Sequence, residues 1–254
     1  MRWRVGYSSG NEMAVLDSGP NDPHLHKMRP HYEQERAYWD QKGAAPYSVL
    51  SEFDERRFLR WIDWHGYGNV LEQGGGSGGF SRLLSDKPDT WCVCSDISFK
   101  MLAHAPSARV QADALRVPFA ENTFALVIAA ALFHHLPGSE RLLLGECFRV
   151  LQPGGRVVGY DPNAHCLQNR VFMGGGPTRL QVFSPDERPI YPENLERWAL
   201  ENSFSNFEYR LFSFKYETIT FFEALQRYVA NPLARGPFAK YLHRWFFWSA
   251  VKPK

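Results

Sequence analysis

Residues Ala125 to Leu132 read ALVIAAAL, an unbroken apolar run. It is far short of the ~20 residues that span a bilayer as a helix. It also lacks the polar alternation of a strand with one wet face, so it fits a central parallel strand covered on both sides. Other short strands surround it in sequence. NVLEQ (Asn69 to Gln73) and TWCVCSD precede it, as does a short strand ahead of Asp113, and RVVGYD follows it. Between them lie helical segments: FSRLLSD, FKMLAHA and the amphipathic ERLLLGECFRVLQPGG, stopped by Pro153 and two glycines. Strands alternating with helices at this spacing predict an α/β fold, a Rossmann-like, doubly wound and mostly parallel seven-stranded sheet.

The flanks read differently. Residues 1 to about 30 are polar and turn-rich, with Pro20, Pro23 and Pro30 breaking any pattern. Helices are predicted from His31 to Lys42 and from Glu52 to His65, where Phe53, Phe58, Leu59 and Ile62 share one face. Residues 162–192 hold five prolines and the triplet Gly174 to Gly176, and read as an irregular insert. PENLERWALENS then forms a helix and FEYRLFSFKYE a strand. An aromatic-rich helix and a strand from Trp245 to Val251 close the chain. A length of 254 residues suits one domain. Its expected parts are a helical cap (1–66), a core (67–161), and a substrate-covering insert with closing strands (162–254).

VLEQGGGSGGF (Val70 to Phe80) sets a glycine-rich turn between a strand and a helix, which lets a ligand approach the backbone and the helix amides. Gly74, Gly76 and Gly79 satisfy a dinucleotide-binding G-x-G-x-x-G. Glu72, Gly74, Gly76 and Gly78 equally satisfy E-x-G-x-G-x-G. Glu72 separates the two, because an acid before the first glycine suits a cationic ligand end and repels a pyrophosphate. Asp96 ends the second strand, 22 residues after Gly74, where a carboxylate accepts from ribose hydroxyls. Asp113 follows the third strand and suits an exocyclic amine.

VLEQGGGSGGF, SDISFKML, ADALRVPF, NTFALVIAAALFHHLP and FRVLQPGGRVV resemble, in this order, the motifs of class I S-adenosylmethionine (SAM)-dependent methyltransferases. The likeness is to the small-molecule branch that includes the quinone-biosynthesis enzymes, and it covers about Asn69 to Asp161. It implies that Glu72, Gly74, Gly76 and Gly78 hold the methionine end of SAM. It places Asp96 and Ile97 at ribose and adenine, Asp113 and Ala114 at the adenine edge, and Ala130 near the sulfonium. Gln73 and Gly75 stand where the family varies, and Ala125 where an Asp is common.

Methyl transfer is an in-line displacement, so positioning supplies much of the catalysis. A base is needed only when the nucleophile must lose a proton. His134 and His135 lie at the end of the central strand, facing the cleft by the ligand rule for open α/β sheets. Similar enzymes pair a His here with a Tyr from the N-terminal helix, so Tyr32 joins them as a catalytic candidate. Asp161, ending the next strand, is the fourth, either as base or as a substrate hydroxyl's partner.

The composition bounds the partners. A formal charge of +2 gives no electrostatic reason for nucleic-acid binding. No run suggests stable membrane insertion, and the N-terminus lacks a signal peptide's apolar stretch. Four cysteines without metal-ligand spacing suggest reduced thiols in a cytoplasmic protein with no metal. The expectation is a methyltransferase placing methyl groups on O or N of a small molecule, in biosynthesis, with a homodimer left open. The alternatives are a SAM-binding relative with altered or no transfer activity, and an NAD-dependent oxidoreductase.

Overall fold

The computed structural model describes residues 14–15, 23–43, 52–62, 68–84, 87–106, 108–174, 177, 180, 183–184, 186–212 and 239–254. In chain order the elements are β1 (Ala14–Val15), α1 (Pro23–Lys42), α2 (Glu52–Trp61), β2 (Gly68–Gln73), α3 (Gly79–Leu84), β3 (Thr90–Asp96) and α4 (Phe99–Leu102). Then come β4 (Ala108–Gln111), β5 (Phe124–Ile128), a 3-10 turn (Phe133–His135), α5 (Glu140–Val150) and β6 (Leu151–Pro162). The last are α6 (Leu167–Met173), α7 (Pro192–Glu201), β7 (Ser205–Phe212), α8 (Ala239–Leu242) and β8 (Trp245–Val251).

The sheet order is β1-β4-β3-β2-β5-β6-β8-β7, and β8 alone runs antiparallel to its neighbours. Seven of these strands have four residues or more, which bears out the expected α/β fold; β1 adds two residues at one edge. The order reverses between β3 and β5, either side of β2. Ligands of open α/β sheets bind at that switch point, outside the carboxyl ends of the strands.

The apolar runs are covered on both faces. Leu71, Val127 and Val157 join Leu143, Leu144 and Leu195 in one cluster with α5 and α7. Their sequence neighbours Val70, Leu126, Ile128 and Val158 join Phe58 and Phe80 in a second cluster with α2 and α3. Each such side chain contributes about 1.5–3 kcal/mol when fully buried.

Several boundaries differ from the sequence reading. The strand ends at Ile128, although Ala129 and Ala131 still donate to the Val158 and Tyr160 carbonyls of β6, and Ala131 takes a left-handed φ of 52°. The helix before β6 stops at Val150, since Leu151 already pairs with Phe124. Helix α1 begins at Pro23 and continues through Pro30, which the sequence reading took as a breaker. Pro23 sits at the first helical position, where a missing N–H costs nothing; nothing in the structure explains the tolerance of Pro30. The insert is less irregular than expected, because α6 lies within it. The aromatic-rich helix of the tail and the end of FEYRLFSFKYE fall outside the described residues.

Candidate active site

Between β2 and α3 the chain passes Gly74, Gly76 and Gly78, all with positive φ (64°, 54° and 75°). Gly76 is the one whose conformation bears on the ligand site. Its N–H points back at the end of β3 and donates to Asp96 Oδ2 at 2.8 Å. Asp96 Oδ1 accepts from Ser98 N–H, also at 2.8 Å. Each oxygen keeps a further lone pair for a ligand hydroxyl. Burial raises the Asp96 carboxyl to about 6; the two amide bonds and the charge of His135 oppose that shift, and Asp40 adds to it.

Glu72 lies deeper. One oxygen accepts from Phe80 N–H (3.0 Å), and the other from Ser81 N–H (2.8 Å) and the Ser81 hydroxyl. Burial raises its pKa, opposed by these bonds. Its carboxylate thus grips the first turn of α3 and fixes the glycine turn from beneath. Asp113 Oδ1 accepts from Leu115 N–H at 2.8 Å, closing its loop. Gln73, passed over as a variable position, is fully buried and ties the first segment to the third. Its amide donates to the Ala114 carbonyl and accepts from Cys147 Sγ. Gln111 Nε2 donates to the Ile97 carbonyl at 2.9 Å. Ala130 is half-buried beyond β5, against the second core cluster.

His134 and His135 occupy the 3-10 turn past β5. His134 donates its backbone N–H and Nδ1–H to Asp161 Oδ1, at 3.2 and 2.9 Å. Asp161 is fully buried inside β6, and its other oxygen accepts from Trp248 Nε1 at 3.0 Å. Asp161 therefore faces His134 and Trp248, which corrects its expected place as a cleft-facing base or hydroxyl partner. Burial lowers the His134 pKa, helped by the charge of His135 and opposed by Asp161. With Nδ1–H fixed on Asp161, Nε2 is the basic atom.

His135 has different neighbours. Its Nδ1 lies 3.6 Å from Glu35 Oε2 on α1 and 3.5 Å from Glu187 Oε1 in the insert. Burial alone would lower its pKa, but Glu35, Glu187 and Asp161 together raise it. Ser184 joins the two acids, since its hydroxyl donates to Glu35 Oε1 (2.6 Å) and its N–H to Glu187 Oε1 (2.9 Å). Trp39 packs edge-on against the His135 ring, with centroids 5.2 Å apart, and donates Nε1–H to Glu35 Oε2 at 3.1 Å. Tyr32 lies three residues before Glu35, one turn along α1 and half-buried. Glu35 and Glu187 carried no sequence signal; they are two ordinary acids 152 residues apart.

A glycine turn and acidic strand ends at the switch point of a Rossmann-like sheet define a nucleoside-binding class of protein. Residues 71–159 match the family model of the methyltransferase domain. A demethylmenaquinone methyltransferase of Mycolicibacterium paratuberculosis is 35% identical over 129 residues, covering 46% of this chain and 56% of that protein. Its counterpart in Corynebacterium urealyticum is 32% identical over 154 residues, covering 56% and 66%. The matched part thus stays under two thirds of either relative's length. A solved SAM-dependent methyltransferase from Archaeoglobus fulgidus shares the fold, with a TM-score of 0.61 at 19% identity, over 79% of this chain and 94% of that one. Residues 71–159 are thus similar to the methyltransferase domain of SAM-dependent methyltransferases, and SAM is the cofactor of that family. The donor set fits that ligand. Carboxylates beside a glycine-rich turn suit hydroxyls, an amine and a cationic end, and would repel a pyrophosphate.

Proposed function

We propose that the chain transfers a methyl group to an oxygen or nitrogen of a small biosynthetic molecule, and does so in the cytoplasm. SAM, when bound, supplies an electrophilic methyl. On this reading the glycine turn, held by Glu72, receives the methionine end. Asp96 and Ile97 receive ribose and adenine, Asp113 and Ala114 the adenine edge, and Ala130 neighbours the sulfonium. The acceptor then meets the ends of β5 and β6, covered by α1 with Tyr32 and Trp39 and by the insert. Residues 1–66 act as cap, 67–161 as cofactor core and 162–254 as cover. The two relatives' names, each a demethylmenaquinone methyltransferase, support a small-molecule acceptor. No helix among the described residues is long and apolar enough to cross a membrane.

One observation carries the base assignment. Burial holds the His134 imidazole below its usual pKa, and its Nδ1 faces the buried Asp161 carboxylate at 2.9 Å, which leaves Nε2 to take a proton. A carboxylate behind an imidazole orients the ring and stabilises the imidazolium formed when Nε2 takes a proton. Glu35 and Glu187 hold His135 beside it. The test is release of demethylated SAM against panels of hydroxylated and amine acceptors. His134→Gln should lower kcat about 10²–10⁴-fold with SAM affinity retained. Wild-type turnover in that variant removes the base role, and tighter binding of NAD than of SAM removes the cofactor assignment.

A further inference from the structure

The wall formed by the two histidines also has the composition and spacing of a metal centre. His134, His135 and Glu187 each offer a ligand atom, and these atoms lie within 4.8 Å of one another. The 3.5 and 3.6 Å separations of His135 Nδ1 from Glu187 and Glu35 are long for hydrogen bonds. They are ordinary for two donors on one cation, because ligands about 2.0–2.2 Å from an ion stand roughly 3–3.5 Å apart. Closing the cluster from within 4.8 Å to that spacing takes movements on the order of 1–2 Å, shared among the side chains.

Burial and surroundings agree. The side chains of His134, His135, Glu187 and Glu35 are 5, 12, 6 and 8% exposed. Carboxyl groups gathered away from water are costly unless a cation meets them. Behind His134 stands Asp161, accepting Nδ1–H at 2.9 Å, itself held by Trp248. Metal-binding histidines commonly donate their second N–H to a carboxylate in this way, which fixes the ring and raises its basicity. Ser184 and Trp39 bond the carboxylates of Glu187 and Glu35 in the same role.

We propose that His134 Nε2, His135 Nδ1 and Glu187 bind one divalent first-row transition metal at the acceptor end of the cleft, with Glu35 beside His135. Two imidazoles with carboxylates favour a zinc-like ion over magnesium or calcium, which prefer oxygen alone. The inference stands on this cluster and does not need methyl transfer. It alters one part of that reading: an ion on Nε2 takes the basic atom, and an acceptor hydroxyl would then ionise against the ion.

The test uses the full chain after chelator treatment, titrated with Zn²⁺ by calorimetry and with Co²⁺ by visible spectroscopy. One ion per chain is expected, with ligand-field bands and no thiolate charge-transfer band. His135→Gln and Glu187→Gln should each weaken Zn²⁺ binding more than about 100-fold, and Asp161→Asn about 10–100-fold. SAM affinity should hold throughout. Should a variant fail to fold, protection of His134 and His135 in the wild type from diethyl pyrocarbonate by Zn²⁺, read by mass spectrometry, decides. Wild-type Zn²⁺ binding no tighter than that of His135→Gln and Glu187→Gln, or no protection, overturns the site. Methyl transfer by metal-free protein would leave the reaction standing while the titration alone judges the metal.

Discussion

Asp96 joins three pieces of the cofactor site through one carboxyl group. It accepts from the glycine turn at Gly76 and from the start of α4 at Ser98, and is proposed to accept from ribose hydroxyls as well. Only the ionised form can accept on both oxygens, while burial raises the group to about 6. Binding therefore favours the deprotonated protein, so SAM affinity is full above that value. It should fall about tenfold per pH unit below it, each unit being worth 1.36 kcal/mol. Calorimetry between about pH 8 and pH 5 checks the slope. Asp96→Asn should flatten the profile. It should also weaken binding at least tenfold at the upper end, since a hydrogen bond to a charged group contributes on the order of 1.5–3 kcal/mol. A variant with unchanged affinity would make Asp96 a tie between loops and nothing more. Position and residue type made Asp96 and Asp113 legible in the sequence. Gln73 was not, because its bond to the Ala114 carbonyl depends on how two loops 41 residues apart meet.

At the scale of elements, α1 bridges the two halves of the site. Its C-terminal end docks on α4. Asp40 Oδ1 accepts from the Ser98 hydroxyl at 2.6 Å, and the Gly43 carbonyl lies 3.1 Å from His104 Nε2. Trp39, the residue before Asp40, and Glu35, one turn before Trp39, meet His135. Deleting residues 1–42 should abolish turnover, because the acceptor loses its cover and His135 a partner. SAM binding should survive within a few-fold, because Asp96 keeps both backbone donors. Trp39→Ala should reproduce much of the loss in kcat, while Asp40→Ala should leave SAM affinity within the same few-fold. Equal loss of cofactor and acceptor binding on truncation would place α1 in the cofactor site itself. The segment His31 to Lys42 read as a helix, and Trp39 drew notice as an aromatic. The start of the helix was hidden, since proline reads as a breaker wherever it falls. The role of Glu35 was hidden too, because an acid on a polar helix looks solvated until the insert arrives with Ser184.

Over the whole molecule, the sheet divides the labour. Its parallel half, β4-β3-β2-β5, carries the residues proposed for the cofactor, while the far half anchors the histidine wall through β6, β8 and one tryptophan. Gly159 on β6 makes room for that ring: a Cβ there would come within 2.6 Å of Trp248 Cζ2 and 2.4 Å of the Ala129 carbonyl oxygen. Trp248 is fully buried, and Nε1 reaches Asp161 Oδ2, so the last strand of the chain orients His134, 114 residues earlier. The motif order made the parallel half legible, since each strand end is followed directly by its loop. The link through Trp248 had no local signature, because it depends on the antiparallel register that pairs Gly159 with Trp248. Trp248→Phe keeps an aromatic ring but removes the donor, leaving a buried carboxylate one partner short at about 1–3 kcal/mol. At roughly 2–4 °C per kcal/mol for a chain of this size, Tm should fall by about 2–12 °C. Turnover should fall further, because an unanchored Asp161 lets the His134 ring rotate. SAM affinity should change less than a few-fold, because β2, β3 and β4 are untouched. Thermal melting, SAM calorimetry and kcat on one preparation separate the three effects. A parallel loss of SAM affinity and turnover would mean that the two halves act as one unit, and that the anchoring role assigned to Trp248 is wrong.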